Sequence, residues 1–478
     1  VLTVTTLVPA LVFGGVFAWA YGSIRDPEPV VTFAEPSGGP PTVAPSLTTS
    51  VLAFRRLPTV IARDLNADAL GADVDPTFDL LNDRSCAAVS VGGDVVGEHN
   101  AELPVIPASN QKLPVAAAAL EQLGADFRYR TEVVAAAAPI DGVVAGDLVV
   151  VGGGDPLLSS AWYPTSSLER NPVTSPTSLD ELADRVVAAG VVEVTGSVVG
   201  DGSRYDDEFF APGWGDGVAG VESGPYDALM ANDARVLGED GRVADPSEGA
   251  AREFALLLDA RGVEIGGPAA SGAAPAAAVE IASIESAPMS DVIAEMLLAS
   301  DNNTAELVVK ELGTLGGGPG TRDAGLAVVR QQLVDWDVDV SSIVLADGSG
   351  LSLDNRLTCD ALIVVLQRTG FASALGQGLP VAGQTGTLSG IFVDHAVVGR
   401  LRGKTGTLNN PPFNVDPPAV KALAGFLPVE GGSAVEYVLV LNGPTIADQS
   451  EYRPVWYAFA DALDTYPSAA TPADLGPR

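Results

Sequence analysis

Residues 107–115 read Pro107-Ala108-Ser109-Asn110-Gln111-Lys112-Leu113-Pro114-Val115, and the fold turns on whether Ser109 and Lys112 form one chemical unit. If a helix starts here, positions i and i+3 share a face, so the ammonium lies one turn from the hydroxyl. A serine hydroxyl is a poor nucleophile until a base takes its proton. Only two histidines, His99 and His395, are available, and neither sits in a Ser/His/Asp pattern. A lysine serves instead when burial and a neighbouring cation lower its pKa toward neutrality. The helix start adds N–H groups and partial positive charge that favour a developing oxyanion. Pro114 removes an N–H that would reach the Asn110 carbonyl, so a 3₁₀-like or kinked first turn is expected. Taken alone, Ser-x-x-Lys is common by chance and is far better explained as an ordinary surface helix start.

Two more motifs follow in order. Ser300-Asp301-Asn302, the chain's only Ser-x-Asn, comes after the apolar run Ile293 to Ala299 and is expected on a loop at a helix end. There a hydroxyl relays protons, and the Asn amide holds both a lysine and a substrate carbonyl. Lys404-Thr405-Gly406-Thr407 falls in an expected strand, Gly399 to Leu408. Its ammonium and two hydroxyls suit a carboxylate, and Gly406 would let a substrate backbone approach closely. A nucleotide-binding loop is the rival for Gly403-Lys404-Thr405, but it needs a glycine where Val398 stands. A second Thr-Gly-Thr, Thr385 to Thr387, follows Gln384 instead of lysine and is set aside as a loop. Each piece is weak by itself; the ordered trio points to serine acyl transfer.

Composition sharpens this. The 478 residues hold only four lysines, Lys112, Lys310, Lys404 and Lys421, against 22 arginines. Two of the four fall inside the motifs, and their mutual repulsion would help keep Lys112 neutral enough to act as a base. A net charge of −35 excludes a nucleic-acid partner and disfavours an anionic membrane surface. Val1 to Ile24 is apolar and uncharged, either a transmembrane anchor or a signal peptide ending at Ala18-Trp19-Ala20. Either version places the remainder outside the cytoplasm, with membrane contact only through residues 1–24 if they are uncleaved. In an exported chain the cysteine pair Cys86 and Cys359 favours a disulfide, worth about 4–5 kcal/mol by loop-closure entropy; two buried thiols are the alternative.

Residues 25–64 read as a disordered linker and 468–478 as a tail. A discontinuous catalytic domain is expected over 65–129 and 284–467, interrupted by a β-rich insertion over 130–283. Expected elements include a hairpin around Gly92-Gly93, helices at Val115 to Gly124, Ser178 to Ala189, Pro246 to Arg261, Leu297 to Leu312, Thr358 to Gln367 and Arg453 to Leu463, and C-terminal strands at Ala396 to Leu401, Ala422 to Leu427 and Glu436 to Leu441. No metal or cofactor is expected.

The three motifs resemble those of the low-molecular-mass, class C penicillin-binding proteins, the D-alanyl-D-alanine carboxypeptidase/endopeptidases. Gly152 to Pro156, Asp227-Ala228-Leu229-Met230 with Asn232-Asp233, Asp347-Gly348-Ser349-Gly350-Leu351 and Leu379 to Gly383 are similar to further landmarks of that family, as is the long Lys112-to-Ser300 separation. The resemblance covers about residues 80 to 465. It implies an α+β, β-lactamase/transpeptidase-like domain: a mostly antiparallel sheet with helices on both faces and the site at one sheet edge. It also implies Ser109 as nucleophile, Lys112 as its general base, and Ser300 and Asn302 as relay and amide holder. Lys404, Thr405 and Thr407 would hold the terminal carboxylate. The backbone N–H groups of Ser109 and Thr407 would form an oxyanion hole, about 3–4 kcal/mol per donor.

The implied substrate is the peptidoglycan stem peptide, with β-lactams as acylating inhibitors. The stretch Asn409 to Pro418 is longer and richer in proline than the family pattern. The alternatives are a β-lactamase or esterase on the same fold, disfavoured by the insertion, and a non-catalytic β-lactam sensor or wall-binding protein, disfavoured by the complete motifs. The acidic, lysine-poor surface predicts that activity persists in high salt; loss of turnover at moderate salt would contradict that expectation.

Overall fold

Alternate residues of the chain's last two strands serve two different cores. On one face Ala422, Ala424, Phe426, Val438 and Val440 join a cluster built with the helices Lys112–Gln122, Met289–Ala299, Asn302–Gly313 and Cys359–Thr369. On the other, Leu423, Leu427, Tyr437, Leu439 and Leu441 pack with the helices Val51–Phe78 and Gln449–Leu463. A period of two lets one strand feed both faces. The result is the expected antiparallel sheet with helices on each side, seen here in a computed structural model. It describes residues 51–164, 173–215, 217–409, 419–429, 433–443, 446 and 448–475, with backbone alone for 51–57.

The sheet has five strands in the order Arg402–Leu408, Ala419–Pro428, Ala434–Gly443, Cys86–Val91, Asp94–His99, all antiparallel. Cys86–Val91 is buried at every position, as a strand covered on both sides must be. Gly92 and Gly93 both take positive φ, the backbone that a tight hairpin turn requires. The Lys-Thr-Gly strand is left at the sheet edge.

Three expectations are corrected. The linker drawn over 25–64 ends early, because helix starts at Val51. Ala62, Asn66, Leu70 and Val74 form a buried stripe four residues apart, which the neighbouring Pro-rich composition obscured. Asn66 also clasps the tail, accepting from the Ala469 N–H at 2.7 Å and donating to the Ala470 carbonyl at 2.6 Å. Ala396 to Leu401 is not a strand. Arg400 and Leu401 N–H groups both reach the Val397 carbonyl, Gly399 has φ +73°, and the buried Val397 and Leu401 are spaced like a helical turn. Finally, Leu297 to Leu312 is two helices broken at Ser300, whose left-handed φ of 61° ends the first. The apolar segment Val1 to Ile24 lies outside the described residues; among those described, no helix is long and apolar enough to cross a membrane.

The inserted region leaves and re-enters the catalytic domain side by side. Its entry strand Arg130–Ala135 pairs antiparallel with its exit strand Val279–Glu285, Arg130 facing Glu285. These two join Leu148–Val151, Val198–Asp201 and Ala270–Ser271 in a mixed five-stranded sheet. Helices Leu179–Ala188 and Pro246–Asp259 pack beside it around Val133, Leu148, Val150, Leu182 and Phe254, a separate core. Ser178 and Asp245 cap those helices by accepting from the N–H of Glu181 and Glu248.

Cys86 and Cys359 form the disulfide, with Cα atoms 5.9 Å apart, tying the buried strand to the first residue of the Cys359–Thr369 helix. The bridge spans a sequence separation of 273 and sits with both cysteines buried. A Cys86→Ala/Cys359→Ala double variant is predicted to lose about 3–5 kcal/mol of unfolding free energy in a denaturant titration. An unchanged midpoint and slope would show that the bridge contributes nothing to stability.

Candidate active site

Ser109 sits on a 3₁₀ turn, Ala108–Gln111, that runs directly into the helix Lys112–Gln122. The expectation drawn from Pro114 is met: the Lys112 N–H bonds the Ser109 and Asn110 carbonyls at this tightened start. Ala108 has φ +47°, a left-handed conformation costly for a residue with a Cβ. Two glycines let other segments close on this turn. A Cβ on Gly350 would lie 1.9 Å from the Ala108 carbonyl oxygen, and one on Gly406 would lie 2.9 Å from that of Pro107. The space left by Gly406 is therefore taken by the Pro107–Ala108 backbone just before Ser109, in place of the substrate backbone expected there. This contact brings the edge strand against Ser109.

Lys112 is fully buried, while Ser109 keeps partial exposure. The lysine Nζ meets three oxygens: Ser109 Oγ at 3.2 Å, Asn302 Oδ1 at 2.7 Å and the Ser349 carbonyl at 2.7 Å. Asn302 is placed by the break between two helices. Ser300 ends the first, the Asp301 carboxylate caps the second by accepting from the Thr304 N–H at 2.6 Å, and Asn302 opens it. The Asn302 amide also donates to the Glu222 carbonyl at 2.9 Å, a contact from the inserted region.

Lys404, on the edge strand, is equally buried and donates to Ser300 Oγ at 2.8 Å and to the Thr405 carbonyl at 2.7 Å. Thr405 donates its hydroxyl hydrogen to Thr387 Oγ1, 2.7 Å away. The second Thr-Gly-Thr, set aside as a loop on sequence grounds, thus supplies a neighbour to the edge strand. Gly386 makes this possible: with φ +54°, its missing Cβ would fall 2.3 Å from the Leu298 carbonyl oxygen. Thr407 is exposed at the rim. Beyond Asn409, the Pro-rich stretch to Pro418 lies outside the described residues. A cavity of about 260 Å³ opens beside Ser300 and Asn302, walled across by Tyr163, Glu222 and Arg242 of the inserted region.

Electrostatics differ for the two lysines. Burial pushes Lys112 down to about 8, against the upward pull of Asp301, Asp347 and Glu306. Burial pushes Lys404 well below the ordinary lysine range, and the charge on Lys112 pushes it the same way. Three carboxylates favour the proton on Lys112, and no such pull acts on Lys404. Burial thus disfavours both charges, and the two ammonium groups repel one another.

Several residues here carried no chemistry in the sequence reading. Glu306 accepts from the Gly348 and Ser349 N–H groups. Asp347 accepts from the N–H groups of Gly350 and Ser352, from the Asn355 amide and from Trp214 Nε1 of the inserted region. Glu306 lies four residues after Asn302, a spacing that shares a helix face and was readable. Nothing in the sequence singles out Trp214 or Glu222.

Against known proteins, residues 87–240 and 229–463 match the D-Ala-D-Ala carboxypeptidase 3 (S13) family. The chain is 32% identical over 403 residues to carboxypeptidase DacB of Mycolicibacterium smegmatis, covering 81% of this chain and 82% of that protein. It is 31% identical over 391 residues to a Mycobacterium tuberculosis carboxypeptidase, covering 77% of each. A D-alanyl-D-alanine carboxypeptidase of Actinomadura is 30% identical over 421 residues, covering 71% of this chain and 73% of that protein. Among solved structures, penicillin binding protein 4 of Haemophilus influenzae has the same fold, with TM-score 0.66 and 20% identity over 82% of this chain and 99% of that one. The chain accordingly belongs to the D-Ala-D-Ala carboxypeptidase 3 (S13) family of serine-type peptidases.

Proposed function

We propose that this carboxypeptidase cleaves the D-Ala-D-Ala terminus of peptidoglycan stem peptides through an acyl-enzyme on Ser109. One observation carries the assignment of roles: two buried lysines converge on two serines, Lys112 on Ser109 and Lys404 on Ser300. Neutral Lys112 takes the Ser109 proton, and Oγ attacks the carbonyl of the penultimate D-alanine. The oxyanion is received by the backbone N–H groups of Ser109 and Thr407, which the Gly406 contact with Pro107 and Ala108 supports. As the C–N bond breaks, the proton returns to the leaving D-alanine amine by way of Lys112 and Ser300. Water, deprotonated by the same groups, then releases the shortened peptide.

Lys404, Thr405 and Thr407 take the substrate's terminal carboxylate. A carboxylate arriving there favours the ammonium form of Lys404. Repulsion from that ammonium then lowers Lys112, so substrate binding itself favours the basic form of the catalytic lysine. A β-lactam follows the same first step, but its leaving nitrogen stays tethered after the ring opens. Action on cross-links as well as free termini uses the same chemistry on a longer leaving group. Such substrates place the catalytic domain outside the cytoplasm, anchored or released according to the fate of residues 1–24.

Labelling by a fluorescent penicillin is predicted to vanish in Ser109→Ala, and D-alanine release from a short D-Ala-D-Ala peptide to vanish with it; equal labelling of both proteins would sink the nucleophile assignment. Because Lys112 must be neutral and is held at about 8, acylation of the free enzyme should fall about tenfold per pH unit below that value. A rate flat across this region would remove Lys112 from the role of base. Lys404→Ala should raise KM for carboxylate-terminated peptides by roughly tenfold or more and change that for C-terminally amidated ones far less. Equal effects on both would show that Lys404 does not read the carboxylate.

A further inference from the structure

A neutral lysine amine has two hydrogens and one lone pair. Lys112 Nζ has three neighbours, and two are carbonyl-type oxygens at 2.7 Å, Asn302 Oδ1 and the Ser349 carbonyl. If each takes one hydrogen, the lone pair is left for the longer contact, Ser109 Oγ at 3.2 Å. The aim of the base then depends on where the Ser349 carbonyl is held. Its loop, Asp347 to Gly350, is gripped from two sides. A Cβ on Gly348 would fall 2.8 Å from the Ala305 carbonyl oxygen, so this residue lies directly on the helix Asn302–Gly313. Gly350 lies on Ala108.

Two carboxylates hold the backbone between those contacts: Asp347 accepts from the Gly350 N–H at 2.8 Å, and Glu306 grips the two residues before it. Glu306, almost fully buried, accepts from the Ser349 N–H at 2.7 Å and from the Gly348 N–H at 3.1 Å to each of its oxygens. We propose that Glu306 is a positioning residue for the base: its carboxylate holds the N–H groups of Gly348 and Ser349, while Asp347 holds the Gly350 N–H of the next peptide, so that the Ser349 carbonyl between them takes one Lys112 hydrogen and leaves the lone pair on Ser109. The proposal rests on the reading of Lys112 as the base. Asn302 performs the matching task from the start of the same helix, so one rigid element sets both acceptors.

Glu306 also acts through charge. Burial first, and then the nearby Asp347, raise its carboxyl to about 7, and above that pH it is an anion that helps hold the proton on Lys112. The other charges facing Lys112 are Asp301 from the cap of the Asn302–Gly313 helix, Asp347 from the loop, and Lys404 from the edge strand. Only the first two share the sign of Glu306. A glutamine at 306 keeps one oxygen, shared by the Ser349 and Gly348 N–H groups, and replaces the second Gly348 acceptor with an NH₂ that faces the Gly348 N–H. It therefore weakens the grip on the loop and deletes one charge, with two separable consequences.

The experiment is the second-order rate of acylation by a fluorescent penicillin as a function of pH, for the full protein and for Glu306→Gln and Glu306→Asp. Glu306→Gln should lower the alkaline plateau about tenfold or more and move the acid limb to lower pH, since Lys112 loses its proton more easily without the anion. Glu306→Asp keeps the charge on a shorter arm, so its limb should stay near that of the parent while its plateau falls. A purely structural role would lower the plateau of Glu306→Gln and leave the limb in place; that result, or a plateau within about twofold of the parent, overturns the proposal. If Glu306→Gln does not fold, Glu306→Asp decides alone: a parental plateau overturns it. Failure of the underlying reading is distinguishable, because it would show as undiminished labelling of Ser109→Ala.

Discussion

Two ammonium groups withdrawn from water into one small site set the terms for the rest of this molecule. Burying even one charge without partners costs several kcal/mol, and burying two of like sign adds repulsion. Lys112 meets this with oxygen acceptors on every contact and with three carboxylates around it; Lys404 meets it with the Ser300 hydroxyl and the Thr405 carbonyl as acceptors. Each acceptor must itself be held, so the helix break at Ser300, the cap at Asp301 and the Asp347-to-Gly350 loop all follow from the need to house these amines. The sheet's contribution is an edge strand flat enough to carry Lys404 inward and Thr407 outward.

Fixed donors and acceptors do in this site what solvent would otherwise do, without reorganising as the reaction proceeds. Ala108 is part of that rigidity. Its left-handed backbone persists because Gly350 and Gly406 pack on it from opposite elements. A larger side chain at either glycine would push the Ser109 turn away from both Lys112 and the edge strand.

Much of this was legible in the chain because the chemistry is concentrated in short motifs. Ser109, Lys112, Ser300, Asn302 and Lys404 were nameable from residue type and order, and the structure brings all five together. Most helices followed from periodicity, the antiparallel sheet was implied by the family resemblance, and Pro114 announced the 3₁₀ turn through a missing N–H. What escaped notice depended on long-range geometry. Thr387 looked idle beside Gln384 and matters only because Gly386 lets its turn nest on Leu298. Glu306 went unnamed within its expected helix, since nothing in sequence says that a loop 42 positions later will lay two N–H groups on it. Val397 and Leu401 were misread because four residues cannot separate a turn from a strand by hydrophobicity alone.

The pairing of Arg130–Ala135 with Val279–Glu285 makes the inserted region resemble a detachable part, closed at its neck by its own two strands. The hydrogen bonds say otherwise. Trp214 donates to the buried Asp347, and the Glu222 carbonyl accepts from Asn302, so excising the region would strip partners from two groups beside the catalytic lysine. Topologically the segment is a graft; chemically it is part of the wall of the reaction chamber. Any variant that trims or exchanges it must rebuild those two contacts at the same time.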